Sequence, residues 1–220
     1  GTDLKSEGSV GDGDVPIYSA LPGDLPQGTV VIDFSLAGAV GPLVETLRPR
    51  GNPLVSGTTG LGVEEVDALR VYSEVAPVLY DENMSYGISV LKVILEAAAP
   101  LMRDVADTEI IEFHHSGKRD YPSGTAYALA RVVDPEATVI SGRQSDSGGG
   151  RSIVVHSGRV GGLPGEHRVV FATGEEMITV EHRAIARDVF ARGALRAARF
   201  VSGKQHGLFS MKDLLEAKNE

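Results

Sequence analysis

The sequence predicts an α/β protein in two parts, a parallel-sheet part followed by an α+β part, and three observations predict it. Between Val30 and Met102, short apolar runs rich in β-branched residues precede helical stretches three times in succession. From Thr108 to Ala184 the pattern changes to short strand candidates separated by Gly-rich turns, with one helix among them. An Ala/Arg-rich amphipathic helix then follows. Strand-then-helix repetition implies a parallel sheet with right-handed crossovers, whose ligand sites lie at the carboxyl ends of the strands.

Taken in order, the first 29 residues are rich in Gly, Pro and acids and read as loop, with a short strand around Val15 to Tyr18. TVVIDFS reads as a strand that stops at Asp33 and Ser35 and enters a helix over Ala37 to Leu47. PLVSGTTG repeats the pattern: a strand ends in Gly57-Thr58-Thr59-Gly60, and a helix runs from Val63 to Ser73. Its opening acids, Glu64 and Glu65, suit the positive end of a helix. APVLYDENMS reads as a third strand reaching Asn83. From Ile88 to Met102 the apolar residues Ile88, Leu91, Val93, Ile94, Leu95, Ala98 and Leu101 recur at helical spacing and predict a long buried helix. TEIIEFHH, RSIVVHSGRV, HRVVFATG and EMITVEHRA are strand candidates, and a helix over Ser123 to Val133 lies between the first two. Helices over Asp188 to Val201 and near Met211 to Ala217 complete the pattern.

Composition narrows the functions open to such a chain. Its 220 residues are 42% hydrophobic and 23% charged, enough for a sizeable core. With no cysteine, it offers neither a disulfide nor a thiolate metal site, so redox chemistry has to come from a cofactor. A net charge of −9 with dispersed Lys and Arg argues against nucleic acid. No apolar run approaches the roughly 20 residues that span a bilayer. Gly1 to Asp14 carries no visible targeting signal, and a cytoplasmic setting is expected.

The densest chemical signal is EFHHSGKRDYPSGTA, Glu112 to Ala126. His114 and His115 end a strand, Lys118 and Arg119 follow in a loop, and Ser123-Gly124-Thr125 opens a helix. The free N–H groups and hydroxyls of that helix start suit a carboxylate or phosphate. In so acidic a chain this local positive charge predicts an anion pocket. Adjacent histidines without cysteine or HExxH match no ordinary zinc arrangement, so no metal is expected. At the strand ends, Phe34, Ser35, Gly57, Thr58, Thr59 and Asn83 are candidates for a cofactor crevice, each with a plain turn or capping reading beside it. The Gly-rich stretch Gly158 to His167 either closes over a ligand, with Arg159 as a carboxylate partner, or simply connects. His156, His182 and His206 read as strand or surface residues.

Together IDFS, GTTGL, ENMSYGISVL, IEFHHSGKRDYPSGTA, GRVGGLPGEHRVVF, EMITVEHRAIARDVFARGALRAARF and GLFSMKDLL resemble the 4-hydroxy-tetrahydrodipicolinate reductase (dihydrodipicolinate reductase) family from Val30 to Leu215. The resemblance implies NADH- or NADPH-dependent reduction of 4-hydroxy-tetrahydrodipicolinate to tetrahydrodipicolinate in diaminopimelate and lysine biosynthesis. It also implies a Rossmann-like dinucleotide-binding domain over 1–86 and 188–220, and a substrate and tetramerisation domain with an open mixed sheet over 87–187. By position, His114 would be the acid/base and Lys118 the second catalytic cation. His115, Ser123, Gly124 and Thr125 would contact the dicarboxylate substrate. Gly57, Thr59 and Asp81, Glu82, Asn83 and Met84 would line the nicotinamide side. A histidine near its free pKa is the expected proton donor.

The sequence departs from the family pattern in two places. A G-x-x-G-x-M-G fingerprint expected before IDFS is absent, and SVGDGDV does not match it, which implies that an N-terminal nucleotide-binding segment on the order of 30 residues is missing. Tyr80-Asp81-Glu82 places two acids where small or apolar residues are usual, and these are expected to weaken binding of an anionic dinucleotide. The competing readings are another amino-acid dehydrogenase-like reductase and a non-catalytic dicarboxylate-binding homologue.

Overall fold

The computed structural model describes residues 8–10, 15–18, 20–23, 25–143 and 151–217. Much of the N-terminal loop prediction, residues 1–7, 11–14, 19 and 24, lies outside the described residues. Within the stretch, β1 (Gly8–Val10) and β2 (Val15–Ile17) pair antiparallel.

The first sheet is built from three strand-helix units, β3 (Val31–Asp33), α1 (Ala37–Leu47), β4 (Leu54–Ser56), α2 (Val63–Tyr72), β5 (Pro77–Tyr80) and α3 (Tyr86–Met102). β3, β4 and β5 run parallel, with Asp33 opposite Ser56 and Ser56 opposite Tyr80, so their carboxyl ends form one row. Alternation along each strand divides the core. Leu54 and Val78 pack with Val40, Val44, Leu47, Leu69 and Tyr72 under α1 and α2. Val55 and Leu79 face the other way, towards Met84 and the C-terminal helices.

The mixed sheet follows, from β6 (Asp107–His114), α4 (Gly124–Val133), β7 (Thr138–Ser141), β8 (Ser152–Arg159), β9 (Gly165–Ala172) and β10 (Met177–Ala184), in the order β10-β9-β6-β8-β7. β6, β7 and β8 are parallel, while β9 and β10 are antiparallel to their neighbours. α3 and α4 cover one face, burying Leu91, Leu95, Ile110, Leu129, Val169 and Phe171. The chain then returns to the first sheet through α5 (Asp188–Val201), β11 (Gly207–Phe209) and α6 (Met211–Glu216). β11 adds a fourth parallel strand beside β5. Gly193 of α5 lies so close to the loop after β5 that a Cβ there would overlap the Met84 carbonyl oxygen.

Three differences from the sequence reading have physical causes. β5 stops at Tyr80 rather than Asn83, because Asp81 Oδ1 accepts from the Asn83 N–H and Asn83 Oδ1 from the Ser85 N–H, two successive turns that end pairing. α3 begins at Tyr86, with the Ser85 hydroxyl accepting from the Ile88 N–H as its N-cap. β7 and β11, too short and half-exposed to give a pattern of their own, form strands because an edge was available to pair with.

Candidate active site

The loop after β5 meets the start of α4, where Glu82 and Asn83 approach Gly124 and Thr125, and this junction joins a wall on the first sheet to a wall on the mixed sheet. On the first wall, Asp33 at the end of β3 is 5% exposed, and its carboxylate accepts from the Ser56 hydroxyl (2.9 Å), the Thr58 hydroxyl (2.7 Å) and the Ser35 N–H (3.0 Å). This buried acid folds the Gly57-Thr58-Thr59 turn onto the end of β3. Thr58 is consequently turned inwards, whereas Thr59 and Ser35 are exposed. Phe34 is also exposed, and its ring fills the space that a Cβ on Gly57 would take, 2.4 Å from that position. An open aromatic ring beside an exposed hydroxyl, at the carboxyl ends of parallel strands, fits a nicotinamide and its ribose. The Met84 side chain is buried in the core under α5, and its carbonyl group faces Gly193 of the same helix.

Neither of the added acids stands free of its surroundings. Asp81 accepts a largely buried ion pair from Lys92, one and a half turns into α3, at 3.0 Å. The expected repulsion of an anionic dinucleotide therefore narrows to Glu82, whose carboxylate lies 3.8 Å from where a Gly124 Cβ would sit. Asn83 bridges the walls, its Nδ2 donating to the Thr125 hydroxyl at 2.9 Å.

The second wall is organised by Glu112, which is fully buried. In β6 it lies opposite Ser157 of β8 and opposite His167 of β9, so all three side chains share one face, and His114 joins them two residues on. Oε1 accepts from the Ser157 hydroxyl (2.7 Å), the Ser123 N–H (3.1 Å) and Arg159 (3.4 Å). Oε2 faces His114 Nδ1 at 3.6 Å and His167 Nε2 at 3.5 Å. Burial alone would raise the carboxyl, but hydrogen bonds from His167, Ser123 and Ser157 hold it well below the usual range. Ser123 caps α4, its hydroxyl accepting from the Ala126 N–H and lying 3.3 Å from His167 Nε2.

His114 is 6% exposed, its ring edge-on to that of His167 with centroids 5.1 Å apart. Burial, and then the neighbouring His167, push it down to about 4 against the opposing pull of Glu112. This corrects the expectation of a histidine near its free pKa: in the ligand-free protein His114 is neutral at pH 7. His115, the other half of the pair, is half-buried on the far side of the strand end, against Gly117 of its own loop. Lys118 is paired with Asp120 at 2.8 Å and remains partly exposed. Arg119 is exposed. Arg159 turns inwards to the carbonyls of Lys118, Gly158 and Asp120, and so clamps the cationic loop instead of presenting a free guanidinium.

Glu112, Ser157 and His167 are the three members of this cluster that had no role in the sequence reading. The i, i+2 relation of Glu112 to His114 was available in principle as a same-face signal. His167 comes from 53 residues further on in number, and only β6–β9 pairing brings it across.

A crevice with one wall suited to a nicotinamide and the other to a small anion is the layout of an NADH- or NADPH-dependent oxidoreductase. Comparison with known proteins makes the assignment specific. Residues 1–84 match the family model for the dihydrodipicolinate reductase N-terminus, and residues 87–215 match the model for its C-terminus. A 4-hydroxy-tetrahydrodipicolinate reductase of Caldanaerobacter subterraneus is 39% identical over 209 residues, covering 92% of this chain and 83% of the relative. One from Pseudomonas fluorescens is 34% identical over 226 residues, covering 99% and 84%. Among solved structures, a dipicolinate-bound dihydrodipicolinate reductase from Paenisporosarcina sp. TG-14 shares the fold, with a TM-score of 0.67 at 22% identity over 91% of this chain and 79% of that one. The chain belongs to the dihydrodipicolinate reductase family. The N-terminal match includes the stretch before β3, which therefore falls within the family's N-terminal part. The G-x-x-G-x-M-G fingerprint is nonetheless absent from the sequence.

Proposed function

We propose that the chain reduces 4-hydroxy-tetrahydrodipicolinate to tetrahydrodipicolinate, in the lysine and diaminopimelate route, with His114 and Lys118 as its acid/base and cationic residues. The observation that carries this is the placement of His114, buried against Glu112 and His167 within one face of the mixed sheet, beside the start of α4. Bound NADH or NADPH supplies the hydride, and Phe34, Ser35, Gly57, Thr59 and the backbone from Asp81 to Met84 line its nicotinamide side. Ser123, Gly124 and Thr125 receive one substrate carboxylate at the α4 N-terminus, with His115 on the outer side. The second carboxylate brings negative charge beside His114 and Lys118, which raises the histidine towards neutrality and readies it to give the proton that balances hydride addition once the 4-hydroxyl and a ring hydrogen have left as water. Lys118 leaves Asp120 to offset that charge.

The division into a cofactor part, 1–86 with 188–220, and a substrate part, 87–187, is supported by the return of α5, β11 and α6 to the first sheet. A homotetramer assembled through the mixed sheet is favoured by Met177 and Ile178, exposed on β10. A cytoplasmic setting accords with the cysteine-free composition and with the lack, among the described residues, of any helix long and apolar enough to cross a membrane.

The test is calorimetric titration with pyridine-2,6-dicarboxylate, with and without NADH, on the wild type and on His114→Gln. Saturable binding retained in the variant, with NADH-dependent turnover falling by about 10²-fold or more, is the expected result. An unchanged turnover overturns the role of His114, and no binding to either protein overturns the substrate class.

A further inference from the structure

We propose that Glu112, His114 and His167 form a binding site for a divalent transition-metal ion of the zinc class, whose occupation blocks the acid/base residue. Adjacent His114 and His115 argued against a metal in the sequence; the fold replaces His115 with His167 as the neighbour of His114 and adds Glu112 between them. One ligand atom from each of the three residues lies within 4.8 Å of the others. The separations from Oε2, 3.6 Å to His114 Nδ1 and 3.5 Å to His167 Nε2, are close to the roughly 3.4 Å between ligands held about 2.1 Å from a tetrahedral ion. Two imidazoles and one carboxylate are a donor set that zinc accepts with a fourth position left open.

A second observation points to a ligand. All three residues are buried, yet His114 Nδ1 has no hydrogen-bond partner and Glu112 Oε2 has only the long 3.5 Å approach of His167 Nε2. Unpaired buried polar atoms are costly, and a shared cation satisfies both at once. The carboxylate is already fixed through Oε1 by Ser157, Ser123 and Arg159, the outer support that orients a metal ligand. Arg159 and Lys118 are the opposing charges: Arg159 is committed to Oε1 and loop carbonyls, and Lys118 to Asp120. Inhibition, though not binding, rests on the reading of His114 given above.

Cobalt(II) is a suitable probe, because a low-coordinate site gives intense visible absorption and an ion on surface carboxylates gives weak absorption. The full chain titrated with Co²⁺ is expected to develop intense absorption that saturates at one equivalent and is displaced by Zn²⁺. In His167→Asn the apparent affinity is expected to fall at least about tenfold, while in His156→Gln, which alters a separate pair with Glu109 at 2.9 Å, it stays unchanged. Weak absorption in the wild type overturns the site without reference to any variant, as does equal affinity in a folded His167→Asn protein. Metal bound at the site with turnover undiminished leaves the site standing and removes His114 from catalysis. No metal bound, with turnover lost in His114→Gln, removes the metal site alone.

Discussion

Glu112 on β6 and His167 on β9 are direct cross-strand partners, and Glu112 Oε2 lies 3.5 Å from His167 Nε2 with neither side chain more than 3% exposed. That relationship sets the environment of His114, two residues along the same strand face. Burying a carboxylate and two imidazoles together is tolerable because Ser123, Ser157 and Arg159 complete the carboxylate's bonding.

Removing the carboxylate strands its partners. Glu112→Ala leaves the Ser123 N–H, the Ser157 hydroxyl and the Arg159 guanidinium without their shared acceptor, and is expected to cost about 3–5 kcal/mol in urea unfolding. Glu112→Gln, which keeps the volume and one acceptor, is expected to lose less. Equal stability of the two variants would deny the carboxylate this organising role.

Stability should fall with acid before ordinary carboxylates titrate. His114 is held at about 4 in the folded protein, against roughly 6.5 when unfolded. Between these values the unfolded chain binds more protons, so the contribution is complete above about pH 6.5 and is lost as pH falls towards 4, at up to about 1.4 kcal/mol per pH unit. Urea midpoints measured from pH 7 to pH 4 check this, and His114→Gln should flatten the profile in that window.

The Asn83–Thr125 hydrogen bond is a direct tie between the loop after β5 and the start of α4. Asn83→Ala is expected to lower turnover by more than it weakens the binding of pyridine-2,6-dicarboxylate alone, because it loosens the alignment of the two walls while at the carboxylate site it removes only the partner of the Thr125 hydroxyl. Steady-state kinetics beside calorimetry separate the two. A loss confined to ligand affinity would place Asn83 in the substrate site instead.

Close packing of α5 on the first sheet forbids a side chain at position 193. Gly193→Ala puts a methyl against the Met84 carbonyl and is expected to destabilise by about 1–3 kcal/mol, read as a lowered thermal midpoint. A neutral result would mean that α5 can retreat from β4 and β5 at no cost.

Charge repulsion by Glu82 is testable apart from Asp81. Glu82→Gln is expected to tighten binding of pyridine-2,6-dicarboxylate, since it removes an anion beside Gly124. Asp81→Asn is expected to leave Lys92 unpaired and to weaken folding instead. Identical effects of the two substitutions would show that their environments do not differ as the Lys92 ion pair requires.

Most of the fold was legible in the sequence. The helices over Ala37–Leu47 and Asp188–Val201 have the predicted bounds, and the strand candidates from Val31 to Ala184 formed strands. These segments carry periodicity in their interiors, and two of the early strands stop at Asp33 and Ser56, where local chemistry also marks the limit. The strand over Pro77–Tyr80 ran long in the reading because Asp81 and Asn83 end it by side-chain turns, which hydrophobicity does not register.

What the sequence determined by itself was the alternation of strand and helix, the family, and the loop that holds His114, Lys118 and the Ser123-Gly124-Thr125 helix start. Those are short-range properties, written in spacing and residue type within a few turns of chain. Tertiary structure alone decided that His167 and not His115 is the partner of His114, that Arg159 clamps the loop, that Thr58 and Met84 turn away from the crevice, and that His114 is neutral. Each of these follows from strand pairing and burial between segments distant in sequence, where protonation and side-chain direction are set by neighbours that no local pattern names.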